Sequence, residues 1–162
     1  MRKRSAVQAQ GRCVCGAIRF EIDVPAVWAW HDHGEASRHA QGCAYATYVG
    51  SWRSRFRIVE GAAEVTRFED AETRSARSFC ARCGTPLLFR YTDAARIGFA
   101  IGSLDDPSAV VPQKAFGTES KLSWADAVPG LPASTTEGDI PAERMEQLRS
   151  LQHPDHDTER RG

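Results

Sequence analysis

The sequence predicts one all-β domain stapled by a structural zinc ion, with a short helix near the C-terminus. Three observations carry this. Two short cysteine turns, Cys13-Val14-Cys15-Gly16 and Cys80-Ala81-Arg82-Cys83-Gly84, stand far apart in the chain. Between and after them come short strand-like runs, spaced too closely for the crossover helices that a parallel sheet needs. With 162 residues, 41% hydrophobic and 26% charged, the chain has the length and the ordinary composition of a globular domain with one core.

Taken in order, residues 1–10 read as a flexible basic tail, because Arg2-Lys3-Arg4 has no apolar neighbours to fold against. A zinc-binding β domain is expected over 11–134. From Ala17 to Val24 the pattern alternates, Ile18, Phe20, Ile22 and Val24 against Arg19, Glu21 and Asp23, which predicts a half-buried strand ended by Pro25. Residues 28–39 show no clear period. Further strands are expected at Ala44–Val49, Arg55–Val59, Ala63–Phe68, Arg74–Phe79, Pro86–Tyr91 and Arg96–Ile101. Breaks fall at Gly50-Ser51, Glu60-Gly61, Thr92-Asp93 and Gly102-Ser103. Prolines at 107, 112, 129 and 132 exclude long helices or central strands beyond Ser103. Residues 135–162 read as a linker, a short amphipathic helix starting near Asp139-Ile140-Pro141 with Met145, Leu148 and Leu151 on one face, and a frayed end.

The cysteines carry the chemistry. Two turns each offering two thiolates are a common way to supply the four ligands of tetrahedral zinc, and a glycine after each pair frees the backbone to turn back toward the sulfurs. The alternative for the same residues is two disulfides. Against it, the N-terminus has charges but no apolar stretch of a secretory signal, and Cys43 would be left over. A cytoplasmic protein with free or metal-bound thiols is therefore expected. Lys+Arg 21 balances Asp+Glu 21, so no global field attracts nucleic acid or an anionic membrane, and no apolar run approaches a membrane-spanning length.

Three stretches bring a family into view: Gly11-Arg12-Cys13-Val14-Cys15-Gly16-Ala17-Ile18-Arg19-Phe20, Arg77-Ser78-Phe79-Cys80-Ala81-Arg82-Cys83-Gly84-Thr85-Pro86-Leu87, and Gly102-Ser103-Leu104-Asp105-Asp106-Pro107. With Lys121, Trp124 and Gly130-Leu131-Pro132, they resemble the glutathione-dependent formaldehyde-activating enzymes, a family that includes centromere protein V-type proteins. The resemblance implies a β-tent fold of stacked antiparallel sheets and a structural zinc on Cys13, Cys15, Cys80 and Cys83. It also implies carbon–sulfur lyase chemistry of the S-hydroxymethylglutathione synthase kind, with a second, catalytic zinc on the three cysteines of a C-H-C-x-x-C-R motif. Counted without a gap, those positions fall here on Asp32, Gly34 and Ser37; only His33 and Arg38 match. A histidine usual before the family's Lys/Trp segment is replaced by Ala115.

Two readings follow. One is a divergent family member whose lyase activity is lost or altered; the other is a non-catalytic small-molecule-binding or scaffolding protein, possible as a homodimer. His31, Asp32 and His33, with His39 nearby, are candidates for a replacement metal site, since two histidines and a carboxylate suit zinc or iron. In an extended segment, however, His31 and His33 share a face while Asp32 looks away. Cys43 is a candidate nucleophile if Arg38 or His39 lowers its thiol, against the commoner fate of a small buried hydrophobe. Arg38 and Lys121 are candidate pocket cations for a small thiol or an aldehyde-derived ligand. Trp28, Trp30, Tyr45, Tyr48, Trp52, Phe116 and Trp124 could wall that pocket, though in a β domain such residues are mostly core.

Overall fold

The chain was analysed as a computed structural model, which describes residues 9–23 and 28–146. Val24, Pro25, the basic cluster at 2–4, Leu148, Leu151 and the end of the chain lie outside the described residues. Strands β1 (Ala9–Arg12), β2 (Arg19–Ile22) and β5 (Phe56–Glu60) form a three-stranded sheet in the order β1-β2-β5. The second sheet has seven strands: β3 (Trp28–Asp32), β4 (Ala46–Trp52), β6 (Val65–Asp70), β7 (Ser75–Cys80), β8 (Pro86–Tyr91), β9 (Arg96–Ala100) and β10 (Lys114–Phe116). Their spatial order is β10-β3-β4-β9-β8-β7-β6. Helix α1 (Glu35–Gln41) lies between β3 and β4, and α2 (Thr136–Asp139) comes late. The all-β expectation holds. Pairing is antiparallel except between β10 and β3, which run parallel.

The alternation read in the sequence places the core. Ile18, Phe20 and Ile22 are fully buried, while Arg19 and Glu21 on the other face are half-buried. The guanidinium of Arg57 joins Glu21 and Asp23 on that outer face. From the larger sheet, Ala29, Val49, Ile97 and Phe99 complete the same apolar cluster. Phe20 stacks on Phe99 with centroids 6.0 Å apart, and Phe56 meets both rings, at 5.5 and 5.2 Å. Each such ring contributes about 1.5–3 kcal/mol by leaving water. A Cβ on Gly11 would come within 2.2 Å of the Phe20 ring, so β1 crosses this cluster only with glycine there.

Three expectations are corrected. Gly50-Ser51 is not a break but lies inside β4, because the Trp28 indole fills the space where a Cβ on Gly50 would stand, 2.0 Å away. Residues 28–39 do contain regular structure. β3 was hidden because its faces carry Trp28, Trp30 and Asp32 against Ala29 and His31, so both sides hold apolar residues. Helix α1 was hidden because only Ser37 on it is buried, leaving no apolar stripe. The expected linker at 135–138 contains α2, with residues 142–146 helical after it. Met145, one of the expected inner-face residues, is buried there.

The described chain divides into two compact units, one through Lys121 and one from Leu122 onward. Among the described residues no helix is long and apolar enough to cross a membrane.

Candidate functional site

The two cysteine turns have the same backbone closure. In the first, the Cys13 N–H donates to the Ile18 carbonyl at 3.1 Å, and the Gly16 N–H returns to the Cys13 carbonyl at 2.9 Å. In the second, the Cys80 N–H donates to Thr85 at 3.0 Å and the Gly84 N–H to Cys80 at 2.9 Å. Gly16 and Gly84 have φ of 75° and 74°, a left-handed conformation that disfavours other residues. The turns meet through Thr85: its hydroxyl accepts the Val14 N–H at 3.0 Å and lies 3.1 Å from the Cys83 sulfur. Thr85 belongs to the second motif, but no local signal marks this role, because its partner lies 71 positions away.

All five cysteines are free, and four of them form a cluster with every sulfur within 4.8 Å of the others. The Cys13 and Cys15 sulfurs are 3.4 Å apart and those of Cys15 and Cys80 3.8 Å. Tetrahedral zinc with bonds of about 2.3 Å requires sulfur separations of roughly 3.8 Å, so the donor set fits that ion in chemistry and size. Without a cation the thiols are unequal. Burial pushes Cys13 up to about 12, reinforced by the neighbouring sulfurs. For Cys83 burial also acts upward, but hydrogen bonds from Thr85 and from the Cys15 backbone outweigh it and bring the thiol down to about 6. A divalent ion would favour the thiolate at all four positions and release their protons.

A second buried polar cluster stands at the end of β3. Asp32 accepts the Gly34 N–H at 2.8 Å on Oδ1 and the Ser37 hydroxyl at 2.9 Å on Oδ2. Asp32 and Ser37 are both buried. Ser37 Oγ in turn accepts from Arg77 at 3.5 Å, and the same guanidinium donates to the Tyr48 hydroxyl at 2.9 Å while lying 4.7 Å over the Phe89 ring. Arg77 thus reaches the Asp32 carboxylate through the Ser37 hydroxyl.

On the same face of the larger sheet lies an open cavity of about 430 Å³. Trp28, Trp30, Phe89, Tyr91 and Phe116 form its walls, with Asp32 and Lys114 as its charged groups. Lys114 and Gly98, which matter to its shape, were not singled out from sequence; no local signal marks them, since the pairing of distant strands brings them there.

The model of the family described as "Glutathione-dependent formaldehyde-activating enzyme" matches residues 8–120. The chain belongs to that family. No curated protein matches it. Among solved structures, a crystal structure of a Rhodobacter sphaeroides protein is similar with a TM-score of 0.55 at 21% sequence identity, covering 66% of this chain and 99% of that one. That likeness is one of fold.

Within this formaldehyde-activating enzyme family member, the structure gathers the cysteine ligands named from sequence and separates the other candidates. His31 and His33 do share a face: both rings pack on Tyr45, with centroids 4.7 and 5.0 Å away. Asp32 is turned to the opposite side, engaged with Ser37. Among the described residues only the four cysteines form a group able to hold a metal. His31 Nδ1 lies 2.9 Å from the Thr47 hydroxyl, and its pKa is lowered by burial and by the nearby His33. His39 is exposed beside Glu35. Cys43 is exposed rather than a buried hydrophobe, and loss of water around its sulfur pushes the thiol up, away from a reactive thiolate. Arg38 donates to the His33 carbonyl at 3.2 Å, and Lys121 closes a turn onto Thr118 through its backbone N–H. Neither lines the cavity. Of the aromatics expected to be mostly core, Tyr48 is buried, but Trp52, Phe116 and Trp124 are exposed.

Proposed function

We propose that Cys13, Cys15, Cys80 and Cys83 hold one structural zinc ion, and that this protein is a divergent family member acting as a small-molecule-binding protein, with the family's lyase activity on thiol–aldehyde adducts lost or altered. The observation that carries this reading is the engagement of Asp32. Both its oxygens are taken by Gly34 and Ser37, and Ser37 is in turn reached by Arg77, so this carboxylate has its hydrogen-bond donors without a cation. Zinc chemistry on such adducts uses an open metal position as a Lewis acid. Asp32, Gly34 and Ser37 stand where the resemblance puts the cysteines of that second site. Free thiols throughout are consistent with a reducing, cytoplasmic setting.

Metal counting with an activity assay tests the reading. Elemental analysis of the purified, reduced chain should give one zinc per chain, and glutathione with formaldehyde should show no acceleration of adduct formation. A second equivalent that disappears on His31→Ala and His33→Ala, accompanied by turnover, would instead establish a relocated enzyme.

A further inference from the structure

The cavity beside Asp32 has a construction that the family chemistry does not account for. One row across the sheet reads Trp28, Gly50, Gly98, Phe89, Arg77, each residue paired in register with the next. Two adjacent glycines leave the middle of this row without side chains. The indoles of β3 lie over that gap: a Cβ on Gly50 would fall 2.0 Å from Trp28, and one on Gly98 would fall 3.1 Å from Trp30. A flat trough with aromatic faces results. A planar π system stacks favourably on such faces, whatever its substituents.

The charge around the trough is unequal. Asp32, its only acidic lining group, already has both oxygens hydrogen-bonded and is reached through Ser37 by Arg77. Arg96, which does not line the cavity, lies 5.2 Å over Trp28 and 5.1 Å over Trp52. Lys114 is exposed, paired in register with Trp30, and has no ion pair among the described residues. Lys114 is therefore the lining cation, opposite one carboxylate whose oxygens are already engaged. A cationic ligand is disfavoured and an anion is drawn to the Lys114 end.

We infer that this trough binds a planar aromatic carboxylate, its ring stacked on Trp30 and its carboxylate paired with Lys114. The assignment rests on the binding-protein reading and names its ligand class. The volume of about 430 Å³ suits a one- or two-ring molecule.

Calorimetric titration of the metal-loaded full chain tests it, with naphthalene-2-carboxylate, 2-naphthylmethylamine, cyclohexanecarboxylate and glutathione as probes. The naphthoate should bind roughly tenfold or more tighter than the non-aromatic acid, from stacking. Lys114→Met should weaken it about three- to fivefold, the size of an exposed ion pair, and Lys114→Glu should reverse the preference toward the amine. Trp30→Ala should abolish the heat and Trp30→Phe restore it, with zinc content and circular dichroism confirming that both variants fold. Equal binding of acid and amine, or no effect of Lys114→Met, overturns the ligand class while leaving a binding protein. Glutathione binding that naphthoate does not compete with also overturns it alone. No heat with any probe overturns both.

Discussion

Two buried polar corners of this protein differ in what they need. At the cysteine corner four sulfurs crowd within 4.8 Å, and burial holds the Cys13 proton while hydrogen bonds release that of Cys83. Arg82 stands near Cys15 and Cys80, but its guanidinium is already paired with Glu64, so it does not let all four become thiolates. At the Asp32 corner the polar groups are linked in a chain of contacts: carboxylate to hydroxyl and backbone N–H, hydroxyl to guanidinium, guanidinium to phenol and ring face. The first cluster lacks a counter-charge for its thiolates, whereas the Asp32 carboxylate already has its donors, although the buried Nδ1 of the adjacent His33 has no hydrogen bond. A metal site is thus better recognised by what its donors lack than by how many there are.

The largest expected effect tests the cysteine corner. Cys80→Ser, or strong chelation of the wild type, removes the link between turns that lie 65 or more positions apart. Because metal binding of this kind is folding free energy, the loss should reach at least about 3 kcal/mol. Calorimetry should show the unfolding midpoint fall by roughly 10 °C or more. An unchanged midpoint after chelation would remove the metal from the list of fold elements.

The Asp32 corner should respond to loss of a partner, not of a metal. Asp32→Ala leaves Ser37 and Arg77 without their carboxylate in a buried setting, which should cost about 2–4 kcal/mol in urea unfolding. Zinc content should stay the same. If the variant instead lost a metal equivalent with little change in stability, the contrast between the corners would collapse.

What the sequence made legible follows the same division. Cys13, Cys15, Cys80 and Cys83 could be read because thiol spacing and the following glycines are local signals, and Pro86–Tyr91 was read to its ends because a cysteine turn and Thr92-Asp93 bracket it. Pairing partners could not be read. Whether Gly50 breaks a strand or makes room for an indole depends on Trp28 across the ladder. The short parallel strand at Lys114–Phe116 has only three residues between prolines and turns, too few to show a period. Arg77 carries no sign that it closes the Asp32 cluster, since Ser37 is 40 positions away.

A smaller effect sharpens the cysteine corner. Thr85→Val removes the acceptor for the Val14 N–H and the hydrogen bond to Cys83, so the Cys83 thiol should move back up from about 6. The stability loss should be about 1 kcal/mol, the usual worth of a bond of this kind. In the metal-free protein, alkylation rates against pH should show the thiolate appearing later in the variant. Zinc binding should persist, since all four sulfurs remain.

The smallest expected effect concerns the face of β3 opposite Asp32. His31 has its pKa below the ordinary 6.5 because burial, then the proximity of His33, disfavours the imidazolium. The unfolded chain therefore binds the proton first as pH falls. The contribution of neutral His31 is fully present above pH 6.5 and is lost as the pH drops through its folded value. Release of the proposed zinc would also destabilise the protein in acid, so the informative quantity is a difference. His31→Gln keeps a polar partner for Thr47 but cannot titrate. Urea midpoints measured between pH 7.5 and 5 should fall less steeply for this variant than for the wild type, at equal zinc content. Parallel slopes would mean that the acid response resides wholly in the thiolates, and the comparison between the corners would then extend to pH: the cysteine cluster would carry all of it.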